Sequence, residues 1–470
     1  MTNHLCWIRR DLRLEDHHAL HAALKTAEKA YIVFIFDSGI IDKLPSDDRR
    51  ITLIIESLIE IEKKLNEYNA SLIIRYGNPI EEIPKVIEEF KIDHLFFNRD
   101  YEPSAKKRDA AIFKHCENKQ IKVSQFKDHV FYEKHEVLTD KSEIYKVFTP
   151  YKNKWLLKFE QQERVVPHYK VDLKKITPWK NAKSILNYDW FKEIKKVKTE
   201  NVLHGGSHEA KKHLTKFLKY IDEYNVARDF PILEKTSNLS PYIRMGNISV
   251  RQIMQEIVKF QSPGAQIFFS EIIWREFYQV ILDVFPKVEN HSFKTEYDQL
   301  VYENNQELFT AWKEGNTGYP IVDAAMRCLN ATGMMHNRLR MVVASFLTKT
   351  LLVDWRLGEK YFALKLLDFD LAANNGGWQW SASTGVDAQP YFRIFNPYNQ
   401  SEKFDEDGEF IKIWCPELRG FDKKLIHYPH EADLVDQARA NCKIGIDYPH
   451  PVVAYKVQKE KALKMFAAIK

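Results

Sequence analysis

The chain has 470 residues, 44% of them hydrophobic, enough for a large core divided over two or three domains. A formal net charge of +5 permits an anionic partner without demanding one. Five scattered cysteines form no CxxC pair, and no His/Cys cluster has zinc spacing, which excludes a disulfide framework and a structural metal and points to a reducing, cytoplasmic setting.

"MTNHLCWIRRDLRLED" is charged by residue 9, so it does not read as a secretory leader, and no apolar run approaches the roughly 20 residues of a membrane span. Over residues 1–131, β-rich apolar runs appear at "HLCWIRR", "AYIVFIFD", "SLIIRYG", "HLFFNRD" and "VSQFKDHVF". Helical periods separate them. In "RITLIIESLIEIEKKLNEY", Ile51, Ile54, Ile55, Leu58, Ile59 and Leu65 make one stripe. Strand–helix alternation predicts an α/β domain with a parallel, doubly wound sheet, whose ligands sit beyond the carboxyl ends of the strands. Neither GxGxxG nor a Walker pattern is present.

From 132 to 200 the period breaks in a mixture of Pro, Lys and aromatics, expected as a connector wrapping the surface. From 201 to 470 the helical period dominates, with strong segments at 207–224, 248–260, 264–285, 319–332, 335–353, 357–367 and 370–380. This predicts an all-α C-terminal domain, and it holds six of the ten tryptophans.

The densest chemistry lies in "DFDLAANNGGWQWSAS" (368–383). On a helix turning by about 100° per residue, Asn374 and Trp378 share a face while Trp378 and Trp380 diverge. Gly376 and Gly377 each cost about 1 kcal/mol against Ala, which close approach of a flat ligand would explain. The competing reading is an aromatic-rich helical core with Asp368 as a cap. In "HNRLRM" (336–341), Arg338 and Arg340 also diverge, so one can pair with Asp368 or Asp370 while the other reaches outward. "EIIWREFY" (271–278) puts Glu271 and Trp274 on one face, where an unpaired buried Glu would be costly. "TSNLS" (236–240) offers hydroxyls before a helix, either as a phosphate cradle or simply as a cap.

Together with "WIRRDLRLED", "ARDFP", "TGYPIVDAAMRCLNATGMMHNRLRM", "DWRLGEKYF" and "DLAANNGGWQWSASTGVDAQPYFRIFNP", these segments make the chain resemble the photolyase/cryptochrome family over nearly its whole length, most densely over 224–410. The resemblance implies an antenna-type domain over 1–131, a connector over 132–200 and a flavin adenine dinucleotide (FAD)-binding catalytic domain over 201–470. It implies that Tyr224, Thr236, Ser237, Asn238, Leu239 and Ser240 hold the phosphates and ribityl chain. Asn337, Arg340, Asp368 and Asp370 would line the rings, with Asn374 at the reactive flavin nitrogen.

The implied reaction is light-driven repair of cyclobutane pyrimidine dimers by electron transfer from excited reduced flavin. Glu271 would bind the lesion's carbonyl edge, and Trp274 and Trp380 would wall it. Arg228, Arg338 and Gln400 would contact the DNA backbone, and Met341 would pack nearby. Trp378, Trp355 and Tyr302 would supply electrons, with Tyr302 of "LVYENN" expected to be solvent-exposed. The expected partner is UV-damaged DNA, single- or double-stranded, bound by a monomer.

Members acting on (6-4) lesions carry histidines where this chain has Asn337 and Met341, which favours cyclobutane dimers. Signalling cryptochromes, the alternative, usually replace Asn374 by Asp. Met334 stands where relatives often have Trp. The family's folate-gripping positions fall on Leu44, Ser104, Ala105 and Asn290, none of which matches. Both the presence and the identity of a second, antenna chromophore (methenyltetrahydrofolate, deazaflavin or another flavin) therefore stay open.

Overall fold

The computed structural model describes residues 2–469 and resolves them into two compact units. The first gathers residues 2–145, Thr149–Asp222 and Ser237–Val284; the second gathers Lys146–Phe148, Glu223–Thr236 and residues 285–469.

The first unit is built on a parallel sheet of β1 (Asn3–Ile8), β2 (Lys29–Asp37), β3 (Ile73–Gly77), β4 (His94–Asn98) and β5 (Lys122–Phe126), in the order β3-β2-β1-β4-β5. Strand alternation sends Cys6, Ile8, Ile32, Phe34 and Ile74 to one face and Leu5, Trp7, Val33, Ile35 and Ile73 to the other. α1 (His18–Thr26) and α2 (Arg49–Asn66) cover the first face; α3 (Pro79–Glu89) and α4 (Pro103–Asn118) cover the second. Both faces are apolar because both are buried, as a doubly wound sheet requires. In the α2 stripe Ile51, Ile55, Leu58 and Leu65 are buried, while Ile54 and Ile59 flank the core half-buried.

Residues 132–200 do more than wrap a surface. Leu173, Ile176, Ile185, Trp190 and Ile194 join the core under the first sheet face. Thr177 Oγ1 accepts a hydrogen bond from the Ala30 amide, tying this segment to the start of β2. The same stretch contains α5 (Phe148–Gln161), whose Tyr151, Trp155 and Phe159 are buried. α6 (Ser207–Leu218), α7 (Val250–Ile257) and α8 (Pro263–Val284) also pack within the first unit.

The second unit is helical: α9 (Gln306–Glu314), α10 (Pro320–Thr332), α11 (Asn337–Lys349), α12 (Trp355–Lys365), α13 (Leu371–Ala382), α14 (Pro397–Phe404) and α15 (Tyr455–Ala467). Trp312, Val343, Leu347, Trp355, Phe362 and Trp378 sit at its centre. The strand-and-helix first unit and the all-helical second unit bear out the expected fold class. No described helix is long and apolar enough to cross a membrane.

Candidate functional site

In the second unit the expected chemistry converges on α11, α12 and α13. Asp370 is the N-cap of α13, and its carboxylate accepts from the Ala373 amide at 3.3 Å, which fixes where the helix starts. Arg340 of α11 donates through Nη2 to Asp368 Oδ2 at 2.8 Å and through Nε to the Met335 carbonyl at 2.9 Å. So Arg340, of the two diverging arginines, takes the internal aspartate. The other oxygen of Asp368, Oδ1, is buried without a hydrogen-bond partner. An orphaned buried acceptor is costly, and its cost is removed when a ligand N–H fills it.

Asn374 is held by a residue the motif reading did not single out. Its Nδ2 donates to Glu359 Oε1 at 2.8 Å and to the Glu359 carbonyl at 3.1 Å. Both amide hydrogens are used, so the Asn374 carbonyl oxygen is the group left to a ligand. Glu359 is 8% exposed, and burial pushes its carboxyl up to about 7. The signal was present in the sequence: Glu359 falls on the buried face of α12 with Trp355, Gly358 and Phe362. Gly358 was missed as well. A Cβ there would collide with the Trp378 indole and with Leu347. At Gly377, by contrast, a Cβ would meet nothing within 4 Å, so that side of α13 leaves room for a ligand.

Trp378 is buried, with its ring 5.0 Å from Phe362 and 6.0 Å from Trp312. Trp380 is half-buried, in keeping with its divergence from Trp378. Trp355 opens α12, is 1% exposed, and has the Arg356 guanidinium 4.8 Å from its ring centroid. The expected exposure of Tyr302 is corrected. Val301 points out at 84% exposure, and Tyr302 turns in to pack with Leu300 and Phe466. Its hydroxyl is buried without a partner, and burial raises its pKa well above that of a free phenol.

Arg338 is less outward than expected: Nη2 reaches Asp229 at 2.7 Å, and the guanidinium lies 4.4 Å over the Phe404 ring. Tyr224 is buried, with Arg228 5.6 Å from its ring, and Thr236 is half-buried. Asn337 opens α11 and is exposed; Met341 is half-buried. Gln400, on α14, is half-buried with Oε1 unpartnered.

The first unit carries the rest. Ser237 Oγ accepts from the Leu239 amide; Asn238 is in the left-handed region at φ 51°, and Leu239 is buried. Asn238 and Ser240 are exposed, Ser240 opening a short helix to Met245. Glu271 and Trp274 are both half-buried on α8, and the Trp274 ring lies 5.5 Å from Tyr278. Among the described residues no His/Cys/Asp/Glu group has the arrangement of a metal site.

Two family models match this chain: "DNA photolyase" over residues 4–169 and "FAD binding domain of DNA photolyase" over 268–468. The deoxyribodipyrimidine photo-lyase of Salmonella typhimurium is 39% identical, the alignment covering 100% of this chain and 99% of the relative. A bacterial class III photolyase from Agrobacterium tumefaciens superposes with a TM-score of 0.90 at 32% identity, covering 100% of this chain and 98% of that one. An archaeal photolyase from Sulfolobus tokodaii, described with two FAD molecules, superposes with a TM-score of 0.83 at 32% identity over 99% of this chain and 100% of that one. Full-length likeness at this identity, with the matched FAD-binding domain overlying the Arg340–Asp368 and Glu359–Asn374 pairs, places the chain in the photolyase/cryptochrome family.

Proposed function

We propose that this protein is a deoxyribodipyrimidine photo-lyase that repairs cyclobutane pyrimidine dimers in DNA under blue light. The observation that carries the reading is Asn374, whose two N–H groups are consumed by Glu359 so that a carbonyl oxygen is presented in a fixed direction. Reduced FAD, when bound and excited, supplies the electron that opens the cyclobutane ring and recovers it afterwards. The Asn374 carbonyl suits a protonated ring nitrogen, and the unpartnered Asp368 Oδ1 suits a ring N–H. Arg340 neutralises Asp368, so that carboxylate adds little net negative charge beside an electron donor. Tyr224, Thr236, Ser237, Asn238, Leu239 and Ser240 are the residues we assign to the phosphates and ribityl chain.

Trp274 and Trp380 offer apolar faces to a flipped dimer, whose extrusion costs a few kcal/mol, least for a damaged base. Glu271 offers a carboxyl to its polar edge. Arg228, Arg338 and Gln400 would position the backbone, with the Arg338 contribution reduced by its pair with Asp229. Such contacts carry no sequence information, as suits a repair enzyme. We take the protein to be a cytoplasmic monomer acting on single- or double-stranded DNA; its five free cysteines, four of them buried, fit a reducing compartment. Whether the first unit holds an antenna chromophore stays open within the same reading, among a pterin, a deazaflavin, a second flavin and none.

The test is repair of an oligonucleotide carrying one cyclobutane thymine dimer by purified protein under blue light, with chromatography of the heat-released chromophore. Repair with FAD in the supernatant is expected. FAD with no repair would transfer the chain to the signalling branch, and no flavin at all would end the reading. Damaged-DNA affinity is expected to fall with salt, with a slope reporting a handful of phosphates. In Trp274→Ala the preference for damaged over undamaged DNA is expected to drop about 10-fold, matching the ~1–3 kcal/mol of a base–aromatic stack. Unchanged preference would remove Trp274 from the lesion wall.

A further inference from the structure

α8 carries a second acid that the lesion reading does not use. Glu276 is 2% exposed and is the focus of four donors. Its Oε2 accepts from the backbone amides of Phe131 at 2.6 Å and Tyr132 at 3.1 Å. Its Oε1 accepts from the Trp155 indole at 2.6 Å and the Tyr151 hydroxyl at 3.1 Å. A carboxylate has about four lone-pair sites, and here every one is filled. Three of the four donors are N–H groups that cannot accept, so the site is built for an anion. Phe131, Tyr132 and Trp155 enclose it, with ring centroids 4.8–5.5 Å apart. That apolar shell pushes the carboxyl up to about 7 even against four donors.

Two further side chains of α8 reinforce the same anchor. Arg275 Nη1 donates to the His129 carbonyl at 2.5 Å, and further along the helix Asp283 pairs with Lys134 at 3.1 Å. α8 is thus fastened through Arg275, Glu276 and Asp283 to residues 129–134, the chain that leaves β5. At about 100° per residue, Trp274 and Tyr278 lie about 160° from Glu276 around the helix, and Glu271 about 140°. Asp283 falls about 20° from Glu276 around the helix, so the side anchored by these two acids lies opposite Trp274 and Glu271.

We propose that Glu276 is a positioning residue for repair: its four hydrogen bonds fix the roll of α8 about its axis, and so fix where Trp274 and Glu271 point. A small rotation at the anchor becomes an equal rotation of the indole on the far side, because a helix transmits roll rigidly. Misplacement of a positioned group by about 1 Å is enough to cost 10²-fold in a reaction. The inference rests on the assignment of Trp274 to the lesion.

Glu276→Gln tests it. Gln keeps the shape but replaces one oxygen by an NH2 that faces donors, so the four-bond arrangement cannot be completed. Holoprotein of the variant is expected to keep its FAD and its affinity for undamaged DNA. Its affinity for an oligonucleotide with one thymine dimer, measured in the dark, is expected to fall about 10-fold. The decisive readout is the double mutant with Trp274→Ala. If Glu276 acts through Trp274 and Glu271, adding Glu276→Gln to Trp274→Ala costs clearly less lesion affinity than the about 10-fold it costs alone. Full additivity of the two losses, or wild-type lesion preference in Glu276→Gln, overturns the proposal. Should Glu276→Gln not fold, Tyr151→Phe removes one peripheral donor and is judged by the same cycle, with a smaller loss expected. If Trp274→Ala alone loses no lesion preference, it is the lesion assignment that fails, and the cycle shows this independently of Glu276.

Discussion

In Trp378→Phe, light-driven reduction of the bound flavin is expected to fall about tenfold or more, while repair by protein reduced chemically beforehand stays within about twofold. Trp378 shares its α13 face with Asn374, one helical turn from the group we assign to the flavin. Phe keeps an aromatic ring but is a far poorer electron donor. The seat is shaped for indole: Gly358 is bare so that the Trp378 ring can lie against α12, with Phe362 at 5.0 Å and Trp312 at 6.0 Å. The smaller ring leaves a void, so thermal unfolding is expected to report a loss of about 1–2 kcal/mol. Transient absorption together with a repair assay separates the two effects. If photoreduction persists at the wild-type rate, Trp378 is a core residue and no more.

The route beyond Trp378 changes with the structure. An exposed tyrosine traps a hole by giving its proton to water, but the Tyr302 hydroxyl is buried, has no acceptor and holds its proton more tightly than a free phenol. Tyr302→Phe is therefore expected to leave recombination kinetics unchanged, contrary to the role its sequence position implied. At Trp355 the Arg356 guanidinium, 4.8 Å from the ring and paired with Asp354 and Asp298, opposes positive charge on the indole. Arg356→Met is the variant in which a hole resting on Trp355 would be stabilised.

What the sequence made legible follows from which signals are local. The five strands were readable because sheet burial on both faces writes near-continuous apolar runs, and α8 and α13 because their periods are long. The stretch 132–200 hid its core residues: Leu173, Ile176, Ile185, Trp190 and Ile194 anchor irregular backbone one at a time, so no period links them. The buried ring series of α5, Tyr151, Trp155 and Phe159, did have four-residue spacing but was diluted by lysines. Periodicity also shows that a helix buries a face without showing against what, which is why α6, α7 and α8 read as part of a C-terminal domain though they pack with the sheet unit. Among the candidate site residues, Arg340, Asp368 and Asn374 were singled out by pattern. Glu276 and Glu359 were passed over, although an acid in the apolar phase of a helix is itself a signal of a polar partner. Tyr302 misled because the residues after it, Glu303, Asn304 and Asn305, are polar and exposed while Tyr302 itself packs against Leu300 and Phe466.

Glu359 leads to the second large effect. Its ordinary value near 4.5 is pushed up to about 7, first by burial; the Asn374 hydrogen bond and Lys360 oppose the shift and Glu289 adds to it. A carboxyl whose folded value is raised gives its full contribution to stability below the unfolded value and loses it as pH rises through the folded one. Above pH 7 the buried carboxylate therefore costs stability, up to about 3 kcal/mol for a shift of this size. Glu359→Gln keeps an oxygen for Asn374 and cannot ionise. It is expected to match wild type at pH 4, below the unfolded value, and to be more stable at pH 8, by as much as that 3 kcal/mol. Glu276 and Lys349 also titrate near 7, so the difference between variant and wild type, rather than either curve alone, isolates Glu359. Glu359→Leu separates charge from orientation. It too loses the pH dependence, but it takes away the side-chain acceptor for the Asn374 amide, so repair yield is expected to fall in Leu and to be retained in Gln. Unfolding at the two pH values and quantum yield at pH 7 decide the matter. A Gln variant less stable than wild type at pH 8 would mean that the ionised pair with Asn374 outweighs the cost of burying its charge.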